Sequence, residues 1–122
     1  MALTMTKPRV LLVEDEALVA MMMEDVLEDL GWEVAASFGD VKPTLDWLAT
    51  CEGLDGAVLD INLGSEMVFP VAEALRARGT PFTFLTSYTA PPRATEFDTP
   101  VLTKPVNVDE LGRVLERFRT AA

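Results

Sequence analysis

The sequence predicts an α/β domain: a doubly wound, five-stranded parallel sheet with helices on both faces. Two observations carry this. Short aliphatic runs alternate with helically spaced segments, five of each along the chain. The runs are apolar throughout instead of alternating, which is the pattern of parallel strands buried on both faces. The totals agree: 122 residues, 49% hydrophobic and 25% charged, fit one globular domain with its own core. Right-handed crossovers then place every strand's carboxyl end on one edge of the sheet. In open α/β sheets that edge binds ligands.

The elements follow in order. Residues 1–7 read as a tail and 8–122 as the domain. Arg9-Val10-Leu11-Leu12-Val13 is the first strand, ending in the acids Glu14-Asp15-Glu16. A helix follows over 17–30, stopped by Gly31. Its apolar arc holds Val19, Met22, Met23, Val26, Leu27 and Leu30, so Met22 and Met23 are expected in the core. Its polar arc holds Glu24, Asp25, Glu28 and Asp29. A second strand spans 33–37, and Asp40 can cap a helix running to Cys51, with Leu45 and Leu48 inward. Strand three is Ala57-Val58-Leu59-Asp60. Ser65 can cap a third helix to Arg78, with Pro70 early enough to be tolerated. Strand four, 81–85, ends in Thr86-Ser87-Tyr88. Residues 89–98 hold at most a short helix, because Pro91-Pro92 interrupts them. Strand five spans 100–103 and leads to Lys104-Pro105. Asn107 and Glu110 form a capping-box pattern for a last helix, whose inner face is Leu111, Val114, Leu115 and Phe118.

Composition excludes several functions. The chain has no His, which rules out His-based zinc sites and Ser-His-Asp catalysis. Cys51 is the single cysteine, so no internal disulfide forms and a reducing, cytoplasmic location is expected. Net charge of −10 argues against nucleic-acid or anionic-membrane partners. No apolar run reaches membrane-span length, and the N-terminus lacks a signal peptide's apolar core. Trp32, Trp47 and Cys51 are assigned no chemistry.

The strand ends bring together Glu14, Asp15, Asp60, Thr86, Ser87 and Lys104, distant in sequence but at one crevice. Clustered carboxylates repel, and burial adds to the repulsion, so the group calls for a cation. Magnesium (or manganese) suits oxygen ligands, keeps several waters and uses one or two carboxylates plus phosphate oxygen. Asp15 and Asp60 are the natural direct ligands, with the backbone carbonyl of Asn62 as a further one. An Asp60 oxygen can then act as a nucleophile, aspartyl phosphate being a known intermediate type. Thr86 and Lys104 would bind the phosphoryl oxygens. Each motif has a structural explanation when taken alone. The acids can be a charged helix start favoured by the macrodipole, Asp60 a turn residue, and Lys104 a solvated loop lysine. Their joint placement favours a site.

Four stretches, Val13-Glu14-Asp15-Glu16, Val58-Leu59-Asp60-Ile61-Asn62-Leu63, Phe84-Leu85-Thr86-Ser87-Tyr88 and Lys104-Pro105, occur in one order and spacing. Together they resemble a response-regulator receiver domain over residues 8 to 120. The resemblance implies the flavodoxin-like strand order 2-1-3-4-5. It implies Asp60 as phosphoacceptor, Asp15 as direct metal ligand and Glu14 as a ligand through water. Thr86 resembles the hydroxyl that senses the phosphoryl group, Lys104 its paired cation, and the bond to Pro105 is expected to be cis. The family usually carries Tyr or Phe three residues before the lysine; Val101 stands there, so the aromatic half of its switch is missing. The strand-four stretch is similar to that of a subgroup of bacterial single-domain regulators with a Phe-Ala-Thr-Gly-Tyr-like motif. Tyr88 and Asn62 are placed to influence access to Asp60 and phosphoryl lifetime.

The implied partner is a histidine kinase or histidine phosphotransfer protein. Leu18 and Met21 project from the polar arc; with Met22 and Pro105 they form the candidate docking patch. No output domain follows Ala122, so output is expected through protein contact or phosphorelay. A receiver excised from a hybrid kinase or larger regulator is the alternative. Dimerisation is left open; the poor fourth helix weakens the dimer face that the resemblance implies around strand five, so a monomer or weak dimer is expected. The chain is expected to be a phosphoacceptor with only self-catalysed phosphorylation and dephosphorylation, and not an enzyme. The rival from another class is a metal-dependent phosphohydrolase with an Asp nucleophile. Such enzymes want a second Asp two residues on, where this chain has Asn62.

Overall fold

The structure, a computed structural model, describes residues 6–87 and 90–120. Tyr88, Thr89 and most of the expected tail lie outside the described residues. Five strands form one parallel sheet: β1 (Arg9–Val13), β2 (Glu33–Phe38), β3 (Gly56–Asp60), β4 (Phe82–Thr86) and β5 (Val101–Thr103). Their order is β2-β1-β3-β4-β5, as expected. The helices are α1 (Ala17–Asp29), α2 (Val41–Leu48), α3 (Phe69–Ala77), a 3₁₀ helix (Pro92–Phe97) and α4 (Val108–Thr120).

The unbroken apolar strands explain the layering. Leu11, Val13, Leu59 and Phe84 pack with α2, α3 and the 3₁₀ helix. Val10, Leu12, Val58 and Leu85 pack on the opposite face with α1 and α4. Successive strand residues point to opposite faces, so all of Val10 to Val13 are fully buried. The chain reverses its direction of winding between β1 and β3, and the edge crevice at such a switch point is where α/β folds place their ligands.

Several local expectations are corrected. Met22 is 62% exposed and not in the core; only Ala20, Met23 and Leu27 of α1 are buried. A helix resting on a sheet through a residue as small as Ala20 contacts it along a narrow stripe. Asp40 is the N-cap of α2 without a side-chain cap bond. The cap comes from Glu66, whose Oε2 accepts the Val41 N–H at 3.0 Å. Ser65 does not start α3, which begins at Phe69. Residues 61–68 close into a tight loop first: Leu63 N–H donates to the Glu66 carbonyl and Val68 N–H to the Ile61 carbonyl. Pro70 then falls at the start of α3, where its missing N–H costs nothing. The Pro91-Pro92 segment forms the 3₁₀ turns. Asn107 caps α4 as expected, its Oδ1 accepting the Glu110 N–H at 2.9 Å.

Candidate functional site

The carboxyl ends of β1, β3, β4 and β5 deliver polar groups to one edge, Glu14 and Asp15 following β1. Asp60 is the last residue of β3, its side chain 8% exposed. Thr86 ends β4 and is buried, with Ser87 following it. Backbone pairing sets these ends side by side: Ile61 N–H donates to the Leu85 carbonyl at 2.9 Å, and Lys104 N–H to the Thr86 carbonyl at 2.8 Å. The Lys104–Pro105 peptide bond is cis.

Lys104 Nζ lies 2.9 Å from Glu14 Oε1 and 3.0 Å from Asp60 Oδ2. Burial by itself would lower the lysine's pKa. The hydrogen bonds to Glu14 and Asp60, and their charges, outweigh it and hold the ammonium above the ordinary lysine value. The other Glu14 oxygen accepts the Glu16 N–H at 3.1 Å, tying that carboxylate to the start of α1. One oxygen each of Glu14, Asp15 and Asp60 lies within 4.8 Å of the others. Three carboxylates against one ammonium leave two negative charges in excess there. This hard-oxygen set fits a cation such as Mg²⁺. No side-chain polar atom buried among the described residues lacks a hydrogen-bond partner.

Asp15, Asp60, Asn62, Thr86, Ser87 and Lys104 line one open crevice. Asn62 Oδ1 accepts the Gly64 N–H at 2.9 Å, so its side chain helps shape the loop. Val101, in contrast, pairs with Phe84 at the other end of β5 and is not in the crevice. Leu18, Met21 and Met22 are exposed on α1. Met22 and Pro105 line an apolar groove between α1 and the start of α4, together with Val19, Met23, Val26, Val106 and Val108. Lys104 borders both the groove and the crevice. Met67 and Pro91 also line the crevice, and no motif in the sequence marks them. Gly64, with φ +88°, is the one residue whose type marks the loop that carries Met67.

No helix among the described residues is long and apolar enough to cross a membrane. No family model matches the chain, and neither does any curated protein. Solved structures do match. SdrG from Sphingomonas melonis Fr1 is 38% identical, with a TM-score of 0.78 over 93% of this chain and 97% of that one. The signal receiver domain of a modulated diguanylate cyclase from Desulfovibrio desulfuricans G20 is 28% identical, with a TM-score of 0.81 over 96% of this chain and all of that one. The REC domain of the Erythrobacter litoralis response regulator PhyR is 25% identical, with a TM-score of 0.77 over 93% of this chain and 91% of that one. Fold, strand order and these likenesses agree: the chain belongs to the response-regulator receiver domains.

Proposed function

We propose that the chain accepts a phosphoryl group on Asp60 from a phosphohistidine of a histidine kinase or histidine phosphotransfer protein, and signals by protein contact or phosphorelay. One observation carries this reading. A nearly buried carboxylate at the end of a central strand touches the Lys104 ammonium and faces two further carboxylates in an open crevice.

In the step, an Asp60 oxygen attacks phosphorus. The P–N bond breaks as the O–P bond forms, and the imidazole leaves with the electron pair. Lys104 already lies 3.0 Å from Asp60, so its ammonium is in place to pair with a new phosphoryl oxygen. The Thr86 and Ser87 hydroxyls donate to the same group. Positioning and charge neutralisation are what such a transfer asks for, without a general base. Mg²⁺ or Mn²⁺, held by Asp15, Asp60 and the Asn62 carbonyl, would supply charge neutralisation. Glu14 acts through water, in keeping with the commitment of both its oxygens to Lys104 and the Glu16 N–H. Asn62 and Tyr88 influence phosphoryl lifetime. The exposed Leu18, Met21 and Met22, with Pro105 across the groove, receive the donor protein by helix-face packing. The reducing cytoplasm suits the free thiol of Cys51.

The test is incubation with phosphoramidate and Mg²⁺ followed by intact-mass measurement. A single acid-stable, base-labile phosphoryl adduct is expected, absent in Asp60→Asn and absent with a chelator. A wild-type chain that takes no adduct rules this reading out.

A further inference from the structure

Residues 61–68, which follow Asp60 directly, are held more firmly than a connecting loop requires. Asn62 and Met67 form an antiparallel bridge. Inside it, Leu63 N–H donates to the Glu66 carbonyl at 2.9 Å and Gly64 N–H to Asn62 Oδ1 at 2.9 Å. Gly64 has φ +88°, where a side chain is strained, and a Cβ there would meet Asp15 Oδ2 at 3.4 Å. Outside the bridge, the Glu66 carboxylate holds the first N–H of α2. The loop is therefore fastened to itself and to a neighbouring helix.

This scaffold presents a Met. Met67 is 44% exposed and lines the crevice that holds Asp60, Thr86 and Lys104, with Pro91 as the other partly exposed apolar member. A single exposed Met is ordinary on a protein surface. This one is set by a bridge and a cross-element carboxylate bond at the rim of a charged site.

The chemistry at risk there is hydrolysis. Water attacks phosphorus, the new O–P bond forms, and the P–O bond to Asp60 breaks. Asp60 returns as carboxylate, and the released phosphate keeps both water protons. The rate depends on water reaching phosphorus, and an apolar rim side chain excludes water from that approach.

We propose that Met67 sets the lifetime of the phosphoryl group by limiting water's access to Asp60, and that Glu66 is the positioning residue that holds it at the crevice rim. This rests on the phosphoacceptor reading above.

The experiment loads wild type, Met67→Ala, Met67→Leu, Glu66→Ala and Glu66→Gln with phosphoramidate and Mg²⁺, then follows adduct decay by intact mass. Met67→Ala should shorten the lifetime roughly threefold or more. Met67→Leu, close in volume, should keep the wild-type lifetime. Glu66→Ala should also shorten it, and Glu66→Gln, whose amide oxygen can still accept the Val41 N–H, should restore it. Thermal melts check that the variants are folded. Equal decay in wild type and Met67→Ala overturns this proposal and leaves the phosphoacceptor reading standing. A wild-type chain that takes no adduct overturns both.

Discussion

Lys104 shows how much one side chain decides here. It reaches Glu14 across 90 positions and Asp60 across 44, and its ammonium sits between these two nearly buried carboxylates. Replacing it with Met keeps the stem and removes the charge. Glu14 and Asp60 then face each other uncompensated. Breaking a buried ion pair in this way costs ~3 kcal/mol or more, so urea unfolding of Lys104→Met without metal should show a loss of that order. Adding Mg²⁺ should recover part of it; an unchanged midpoint would sink this account of the site's electrostatics. At this scale much of the site was legible. Glu14, Asp15, Asp60, Thr86, Ser87 and Lys104 lie at the ends of four strand runs, and parallel topology brings such ends together. Glu66 and Met67 were not legible, because their placement depends on a bridge between two residues of an irregular loop, which has no period to read.

Elements were legible where a repeat or cap defined them and misread where tertiary contacts supplied the cap. Asn107 does its own capping, so α4 begins where the pattern places it. The caps expected of Asp40 and Ser65 failed for one reason: the 61–68 loop donates Glu66 to α2 and delays α3 to Phe69. Met22 was misread because the apolar arc of α1 is broader than the stripe the sheet covers. The 3₁₀ helix is held by packing in place of propensity. Phe97 stacks on Phe69 and meets Phe82 and Phe84 edge-on, while the Arg76 guanidinium lies 4.6 Å from its ring centroid. Phe82, Phe84 and Thr86 alternate along β4 and so share a face. The Thr86 hydroxyl thus lies in line with this aromatic cluster, while Val101 lies 38% exposed on the edge strand. Phe97→Ala should cost ~3 kcal/mol. Amide exchange should show residues 92–97 losing protection more than α1, and uniform loss would count against the packing argument.

For the molecule as a whole, the alternation of runs and helices fixed a parallel sheet, but not its order or register. The order came from the likeness of four motifs. The slip between β1 and β2, where Val10 pairs with Val34 but Leu11 with Ala36, has no mark in the sequence. Net charge of −10 disfavours compaction, and a cation taken up at the acidic crevice should offset it. Free Mg²⁺ at 100 times its Kd should stabilise the fold by ~2.7 kcal/mol, read as a rise in Tm over a NaCl control of equal ionic strength. Asp15→Asn should lose most of that rise; if it keeps all of it, the ion binds elsewhere. One feature links the charged edge to the rest of the surface. Lys104 is a shared wall, its side chain bordering the apolar groove on one side and the polar crevice on the other. A ligand seated in either cavity meets the same residue. Thermodynamic linkage makes such an influence mutual: whatever the filled crevice does to affinity in the groove, an occupied groove does, by the same factor, to affinity in the crevice.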